Sequence, residues 1–163
     1  MTDPNASIEY LDDPAMGGSV PLLDAGQAND VLRDAKRIAI VGASPNPWRA
    51  SNTVMSYLMS RGYECVPVNP NVGSVLGRPS FPSLEAASAG SGGAPFDIVD
   101  VFRRPEFAPD IARSAVTLGA GTLWLQQGVL SWEAAEIAHD GGLGVVMDRC
   151  TAIDHRHLSA SAR

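Results

Sequence analysis

The apolar positions of the chain fall into two kinds of segment that alternate along it. Short runs rich in β-branched residues occur at Arg37-Ile38-Ala39-Ile40-Val41, Cys65-Val66-Pro67-Val68, Phe96-Asp97-Ile98-Val99-Asp100-Val101-Phe102, Thr122-Leu123-Trp124-Leu125-Gln126 and Gly144-Val145-Val146-Met147. Bounded by glycine and proline turns, they read as strands of a parallel sheet. Between them, apolar residues recur at helical spacing. Ala28, Val31, Leu32 and Ala35 mark a helix over 25–35, and Val54, Met55, Leu58 and Met59 mark one that starts at an N-cap Ser51 and stops at Gly62. A third follows Pro105 with Phe107, Ile111, Ala115, Val116 and Leu118, and a fourth opens at Ser131 and Glu133 and closes near Gly141. Five strands alternating with helices predict an α/β, Rossmann-like doubly wound parallel sheet, strand order 3-2-1-4-5, with helices on both faces.

The remaining stretches carry no such period. Residues 71 to 84, with Gly73, Gly77, Pro79 and Pro82, predict a long loop with at most a short extended piece, and the low-complexity run Ala86 to Ala94 predicts a flexible surface excursion. The chain divides into an acidic flexible arm at 1–24, a domain at 25–158 and a tail at 159–163. In the arm, Ile8, Tyr10, Leu11, Leu22 and Leu23 are apolar enough to dock on the domain or on a second copy.

Composition narrows the function classes. A length of 163 residues fits one domain, and no stretch reaches the ~20 uninterrupted apolar residues of a membrane span. The start Met1-Thr2-Asp3-Pro4 lacks the basic and apolar regions of a signal peptide, so a cytoplasmic protein is expected. The net charge of −6 sits in residues 1–30, which hold Asp3, Glu9, Asp12, Asp13, Asp24 and Asp30 without a Lys or Arg; the rest balances at 12 acids and 12 bases. No clustered basic stripe marks a nucleic-acid binder. Two cysteines, Cys65 and Cys150, give no metal spacing and no disulfide framework.

The chemistry concentrates after the first strand. Val41-Gly42-Ala43-Ser44-Pro45 is a strand that stops on glycine and leads through a small turn into a helix, the arrangement by which a parallel sheet presents backbone N–H groups to phosphate. Arg49 lies within reach of such a phosphate, Ser51 and Asn52 start the helix, and Trp48 either shields the site or covers the domain's edge. The dinucleotide fingerprint fails, because its second and third glycines are replaced by Ser44 and Pro47, and Asn69 stands where an acid would hold the ribose of NAD. No Walker sequence is present. Other strand ends converge on the same crevice by topology: Asn69-Pro70, Phe102-Arg103-Arg104, Gln126-Gln127-Gly128 and Met147-Asp148-Arg149-Cys150. Arg103 is the stronger candidate for an anion, while one of the two arginines pairs with Glu106 or Asp110.

Taken together, Val41-Gly42-Ala43-Ser44-Pro45, Val66-Pro67-Val68-Asn69-Pro70, Gly77-Arg78-Pro79, Asp97 to Pro105, Leu123 to Gly128 and Val146 to Cys150 resemble the small stand-alone CoA-binding domain family, similar in fold to the nucleotide domain of the succinyl-CoA synthetase α subunit. The resemblance spans about residues 25 to 158. It implies CoA, or an acyl-CoA, lying across the C-terminal crevice of the sheet. Its phosphates would lie near Gly42, Ala43, Ser44, Pro45 and the helix start at Ser51 and Asn52. Its adenosine end would approach Asn69-Pro70 and the loop after it, and Gln126 and Gly128 stand among the cofactor-binding residues expected at the strand ends that reach the crevice. The synthetase's basic residue after the second strand has no counterpart at Val72, which leaves the ribose phosphate to Arg49 or Arg78. The synthetase's phosphohistidine segment belongs to a domain this chain lacks, so His139, His155 and His157 are solvated or capping residues. Cys150 carries a sharper idea, that Arg149 lowers its thiol pKa enough for a mixed disulfide with CoA, against an inert structural thiol.

These readings converge on a CoA-binding protein, without catalytic or metal residues of its own. The alternatives are a CoA-ligase component completed by a partner chain, an NAD(P)-binding oxidoreductase, and a regulatory module working through the acidic arm. A homodimer and a partner ligase subunit are the associations to test.

Overall fold

The structure, a computed structural model, describes residues 20 to 161, without the side chains of 159 to 161. Ile8, Tyr10 and Leu11 of the arm, with most of the tail, lie outside the described residues. The elements run in chain order: α1 (Ala25–Asp34), β1 (Arg37–Val41), α2 (Ala50–Ser60), β2 (Glu64–Val68), β3 (Ser74–Val75), β4 (Arg78–Pro79), α3 (Leu84–Gly90), β5 (Ile98–Val101), a 3-10 turn (Pro105–Phe107), α4 (Ala108–Thr117), β6 (Thr122–Leu125), α5 (Trp132–Asp140), β7 (Gly144–Val146) and α6 (Thr151–Ser161).

The main sheet is parallel, in the order β2-β1-β5-β6-β7. The twofold strand period sends Ile38, Ile40, Trp124 and Val146 to one face, where they pack with Ala28, Leu32, Met55, Leu58 and Ala152 from α1, α2 and α6. Ala39, Val41, Val99, Leu123 and Val145 point the other way and pack with Ala87, Ala112 and Ala135 from α3, α4 and α5. Both faces are covered, which is the doubly wound architecture expected.

The order differs from expectation in one respect. The strand at 98–101 pairs with β1, in register Ile38↔Ile98 to Val41↔Val101, and does not lie outside β2. The five strands therefore lie 2-1-3-4-5 in chain order. Outside β2 the place of a third strand is taken by Phe81, in a single parallel bridge to Val68. Its N–H donates to Pro67 O (3.1 Å) and its carbonyl accepts from Asn69 N–H (2.9 Å). Counting that bridge as a rudimentary strand restores the order 3-2-1-4-5 with one further strand beyond.

The two stretches that lacked a period, and the polar stretch after Cys150, are structured. The hairpin β3–β4 turns through Leu76 (φ 51) and Gly77 (φ 76), the left-handed pair a two-residue turn requires, and is anchored by buried Val75. The run expected to be a flexible excursion begins with α3, because Ser83 caps it by accepting the Ala86 N–H (3.0 Å) while Leu84 and Ala87 are buried. The polar stretch after Cys150 is α6, whose inner face consists of Thr151, Ala152, Asp154 and Leu158. Ahead of α1, Leu23 docks on the domain: its N–H donates to Val145 O (2.8 Å) on the outer side of β7, and its side chain lies where a Cβ on Gly144 would come within 3.0 Å.

Arg37 ties down the 91–94 segment. Its guanidinium donates to Glu64 Oε1 (2.9 Å), Ser91 O (3.1 Å), Ser91 Oγ (2.9 Å) and Ala94 O (3.2 Å), and stacks 4.8 Å from the Phe96 ring centre. Arg37→Met leaves these acceptors unfed and is expected to cost about 2–3 kcal/mol. A thermal melt should show the midpoint lowered by roughly 4–10 °C, and an unchanged midpoint would contradict this role.

Candidate anion-binding cleft

A cleft of about 740 Å³ opens beyond the carboxyl ends of β1, β2 and β5, where the chain leaves β1 for β2 on one side and returns to β5 on the other. Gly42 forms its floor. With φ +88 it holds a backbone conformation that L side chains rarely adopt, and its N–H donates to Val68 O (3.0 Å). A Cβ there would lie 3.1 Å from Arg103 Cδ and 3.2 Å from the Phe102 carbonyl carbon. The chains thus approach each other as only glycine permits.

Two asparagines fix the turn that follows. Asn69 Nδ2 donates to Ala43 O (2.8 Å) and Asn52 Nδ2 to Ser44 O (2.9 Å), so the negative end of each carbonyl is already taken. Because the peptide is planar and trans, clamping Ala43 C=O also fixes the Ser44 N–H in the opposite direction. Among the described residues, neither the Ala43 nor the Ser44 N–H donates to a protein acceptor. The same holds for Ala50 and Ser51, whose N–H groups are unpaired by position in the first turn of α2. Four backbone donors and the positive end of an 11-residue helix therefore serve one cleft.

The helix starts earlier than expected. Its N-cap is Arg49 (φ −84, ψ 141), without a side-chain cap, and Ser51 is its second residue. Local bonds turn the chain before Ser51: Ser44 Oγ accepts from Asn46 N–H (3.1 Å), Asn46 Oδ1 from Trp48 N–H (3.0 Å) and Asn46 O from Arg49 N–H (3.0 Å). Trp48, 92% exposed, shields nothing in this structure.

Gly42, Ala43, Ser44, Arg49, Ser51, Asn69, Pro70 and Arg103 all line the cleft, and Asn52 is buried behind it as a clamp. Arg103 runs over Gly42, and its guanidinium carbon lies 4.2 Å from the Phe107 ring centre. Arg104 is the arginine that pairs with Glu106 (3.7 Å). Phe102, Phe107 and Asn71 join the lining without a sequence signal that singled them out. A side cavity of about 230 Å³ opens past Arg103 and Phe107 between Val68, Leu84 and Ile111.

Four of the expected residues lie elsewhere. Pro45 is exposed on the turn and outside the lining. Arg78 lines a separate cavity of about 190 Å³ on the outer side of β2. Gly128 donates its N–H to Asp148 Oδ1 (2.8 Å). Gln126 shares the direction of Trp124 two residues earlier, toward α6, and is buried there. Its Nε2 donates to Asp100 Oδ1 (2.6 Å) and Thr151 Oγ1 (3.0 Å), while Thr151 Oγ1 donates to Asp100 Oδ2 (3.0 Å). Asp100 is wholly buried, and burial pushes its carboxyl up to about 7 against the opposing pull of the Gln126 and Thr151 hydrogen bonds.

The cysteines are not activated. Burial, with the nearby Asp100 charge, pushes Cys65 up to about 12. Cys150 is also raised, chiefly by burial, against hydrogen bonds from the Ile153 and Ala152 backbone. The expected help from Arg149 is absent because its guanidinium binds both oxygens of Asp154 (2.8 Å each). His139 is exposed in the last turn of α5, whereas His155 is half-buried: its Nδ1 meets Tyr57 OH (2.9 Å), and burial with Arg61 lowers its pKa. Among the described residues no group of His, Cys, Asp and Glu is placed to hold a metal ion, and no helix is long and apolar enough to cross a membrane.

Comparison with known proteins places these features in context. The family described as "CoA binding domain" matches residues 36–156. The uncharacterized protein YneT of Bacillus subtilis (strain 168) is 36% identical over 129 residues, 79% of this chain and 92% of that protein. The structure of a hypothetical protein from Pyrococcus horikoshii OT3 superposes with a TM-score of 0.78 at 35% identity, covering 84% of this chain and 93% of that one. The dinucleotide-forming acetyl-coenzyme A synthetase 1 of Candidatus Korarchaeum cryptofilum shares the fold, with a TM-score of 0.57 at 18% identity over 69% of this chain and 26% of its own.

Proposed function

The chain belongs to the CoA-binding domain family, and on that premise we propose that it is a cytoplasmic protein that binds CoA or an acyl-CoA and catalyses no reaction by itself. The observation that carries the reading is the pair of clamped carbonyls at Ala43 and Ser44. With their oxygens held by Asn69 and Asn52, the turn meets a phosphate with donors alone, and those of Ala50 and Ser51 add to it. Arg103 and Arg49 supply charge from opposite walls, and Arg49 takes the ribose phosphate, since Arg78 opens on another side of the sheet. The adenosine end lies toward Asn69 and Pro70, with the side cavity behind Phe107 as its continuation. A cleft of about 740 Å³ suits a ligand of this size.

The absence of assigned chemistry rests on the lining. The described residues of the main cleft contain no carboxylate, histidine or thiol to move a proton or form a covalent bond, and the two carboxylates nearby, Glu85 and Asp110, line the side cavity. Asn69 further weakens a nicotinamide reading, because its amide is committed to Ala43 O and it carries no negative charge for a ribose.

Thermal unfolding with CoA, acetyl-CoA, NAD and ATP in separate samples tests the proposal. At a hundredfold excess over Kd, CoA should add ~2.7 kcal/mol and raise the midpoint by roughly 5–11 °C. Ser44→Tyr, which fills the turn, should lose that rise while the free protein melts nearly as before. A rise with NAD and none with CoA would overturn the assignment.

A further inference from the structure

Five arginines of this domain are paired with acids. Arg33 meets Asp30, Arg37 Glu64, Arg104 Glu106, Arg113 Asp110 and Glu133, and Arg149 Asp154. Arg49 and Arg103 are not, and both line the cleft, where an anion is to bind. Arg61, Arg78 and Arg156 likewise have no carboxylate partner among the described residues; Arg78 lines the cavity outside β2, whereas Arg61 and Arg156 converge on one ring. Their guanidinium carbons lie 5.1 Å and 4.7 Å from the centre of Tyr57, whose hydroxyl meets His155. Ile153, 39% exposed, stands one turn before Arg156 on the same side of α6. The result is a surface patch of two cations, an aromatic ring and an aliphatic side chain, its two guanidiniums without a carboxylate partner among the described residues.

The chain contains a segment of the complementary kind. Ile8-Glu9-Tyr10-Leu11-Asp12-Asp13 combines three acids with three apolar side chains, and residues 1–19 carry no Lys or Arg. We propose that this acidic segment docks on the Arg61–Tyr57–Arg156 patch of its own chain, its carboxylates on the two guanidiniums and its apolar side chains beside Tyr57 and Ile153.

Two further points favour this patch over the cleft. Leu23 packs on Gly144 at the start of β7 and Arg61 lies just ahead of β2, both toward the amino ends of the strands and away from the cleft but on opposite edges of the sheet, so the arm crosses the sheet's width to reach the patch. From Val20, the seven to twelve residues back to positions 13–8 extend up to roughly 25–40 Å, enough to cross a domain about 30–40 Å wide.

Chymotryptic cleavage after Tyr10 in the full-length protein, followed by mass spectrometry, reads the docking. In R61E/R156E, checked for an unchanged thermal midpoint, cleavage should accelerate by about fivefold, the change a few exposed ion pairs produce. About 0.5 M salt should do the same to the unaltered chain. Adding E9K/D12K/D13K to R61E/R156E should restore slow cleavage by exchanging the charges. An unchanged rate in R61E/R156E overturns the proposal. So does protection lost on dilution, which would place the arm on a second copy, or protection released by CoA but not by R61E/R156E, which would place it in the cleft.

Discussion

Replacing Gly42 by valine is expected to weaken the proposed CoA binding by at least about a hundredfold and to destabilise the free protein. The two losses share a cause. At φ +88 a β-branched residue is strained, and its Cβ would meet both the Arg103 side chain and the Phe102 backbone. Strain and overpacking together should cost about 2–4 kcal/mol. The midpoint of the unliganded protein should fall by roughly 4–15 °C. Relief of the contact pushes Arg103 off the turn and tilts the donors of Ala43 and Ser44, so calorimetric titration with CoA should show affinity reduced by at least about a hundredfold. Gly42→Ala, with the smallest added group, keeps the comparison open if valine does not fold. Native CoA affinity in either folded variant would remove this turn from the binding site.

The second large effect concerns pH. Asp100 has its carboxyl raised from 3.8 to about 7 in the folded state, so the native protein keeps this proton where the unfolded chain has lost it. The group therefore contributes full stability below about 4, and the contribution is lost as pH rises toward about 7. Above that, an unpaired charge is buried among Gln126, Thr151 and the apolar sheet. Each pH unit inside the window is worth at most about 1.4 kcal/mol, so between pH 5.5 and 8.0 the loss is about 2 kcal/mol, or roughly 4–8 °C in the melting midpoint. Asp100→Asn never ionises, and rotation of the Gln126 amide lets its oxygen accept from the new amide. The variant should melt at nearly the same temperature at both pH values. Parallel slopes for the two proteins would show that another group titrates.

How much of this was legible in the sequence depended on what each segment buries. The runs at 37–41, 98–101 and 122–125 are apolar on both sides, and their glycine and proline boundaries leave little choice but a covered parallel sheet. Gly42 was legible because glycine after a strand and before a helix has a backbone meaning. The helix α3 was not, because Ala86 to Gly90 offers small residues without a stripe and the cap at Ser83 stands outside the run. Nor was α6, whose buried face is half polar: Thr151 and Asp154 are buried because they meet Asp100 and Arg149, partners remote in sequence. Ending a strand points Gln126 to the cleft, whereas the alternation along that strand, visible in Trp124, points it the other way, onto Asp100. The acid at position 100, amid Ile98, Val99 and Val101, was itself a signal, since an ionisable group in a strand buried on both faces requires a polar partner.

Both outer strands of the sheet have something laid against them. On β2 it is Phe81, backed by Pro67, which has no N–H to offer; on β7 it is Leu23. A strand from another molecule would have to displace Phe81 to pair with β2 at Val68, or Leu23 to pair with β7 at Val145. Such edges are the usual start of sheet-to-sheet aggregation, and closing them keeps a small parallel fold safe at high concentration. They also bear on how two copies can associate: among the described residues, helix surfaces and the rim around Trp48 are open to a second copy without displacing anything, whereas a continuous intermolecular sheet is not.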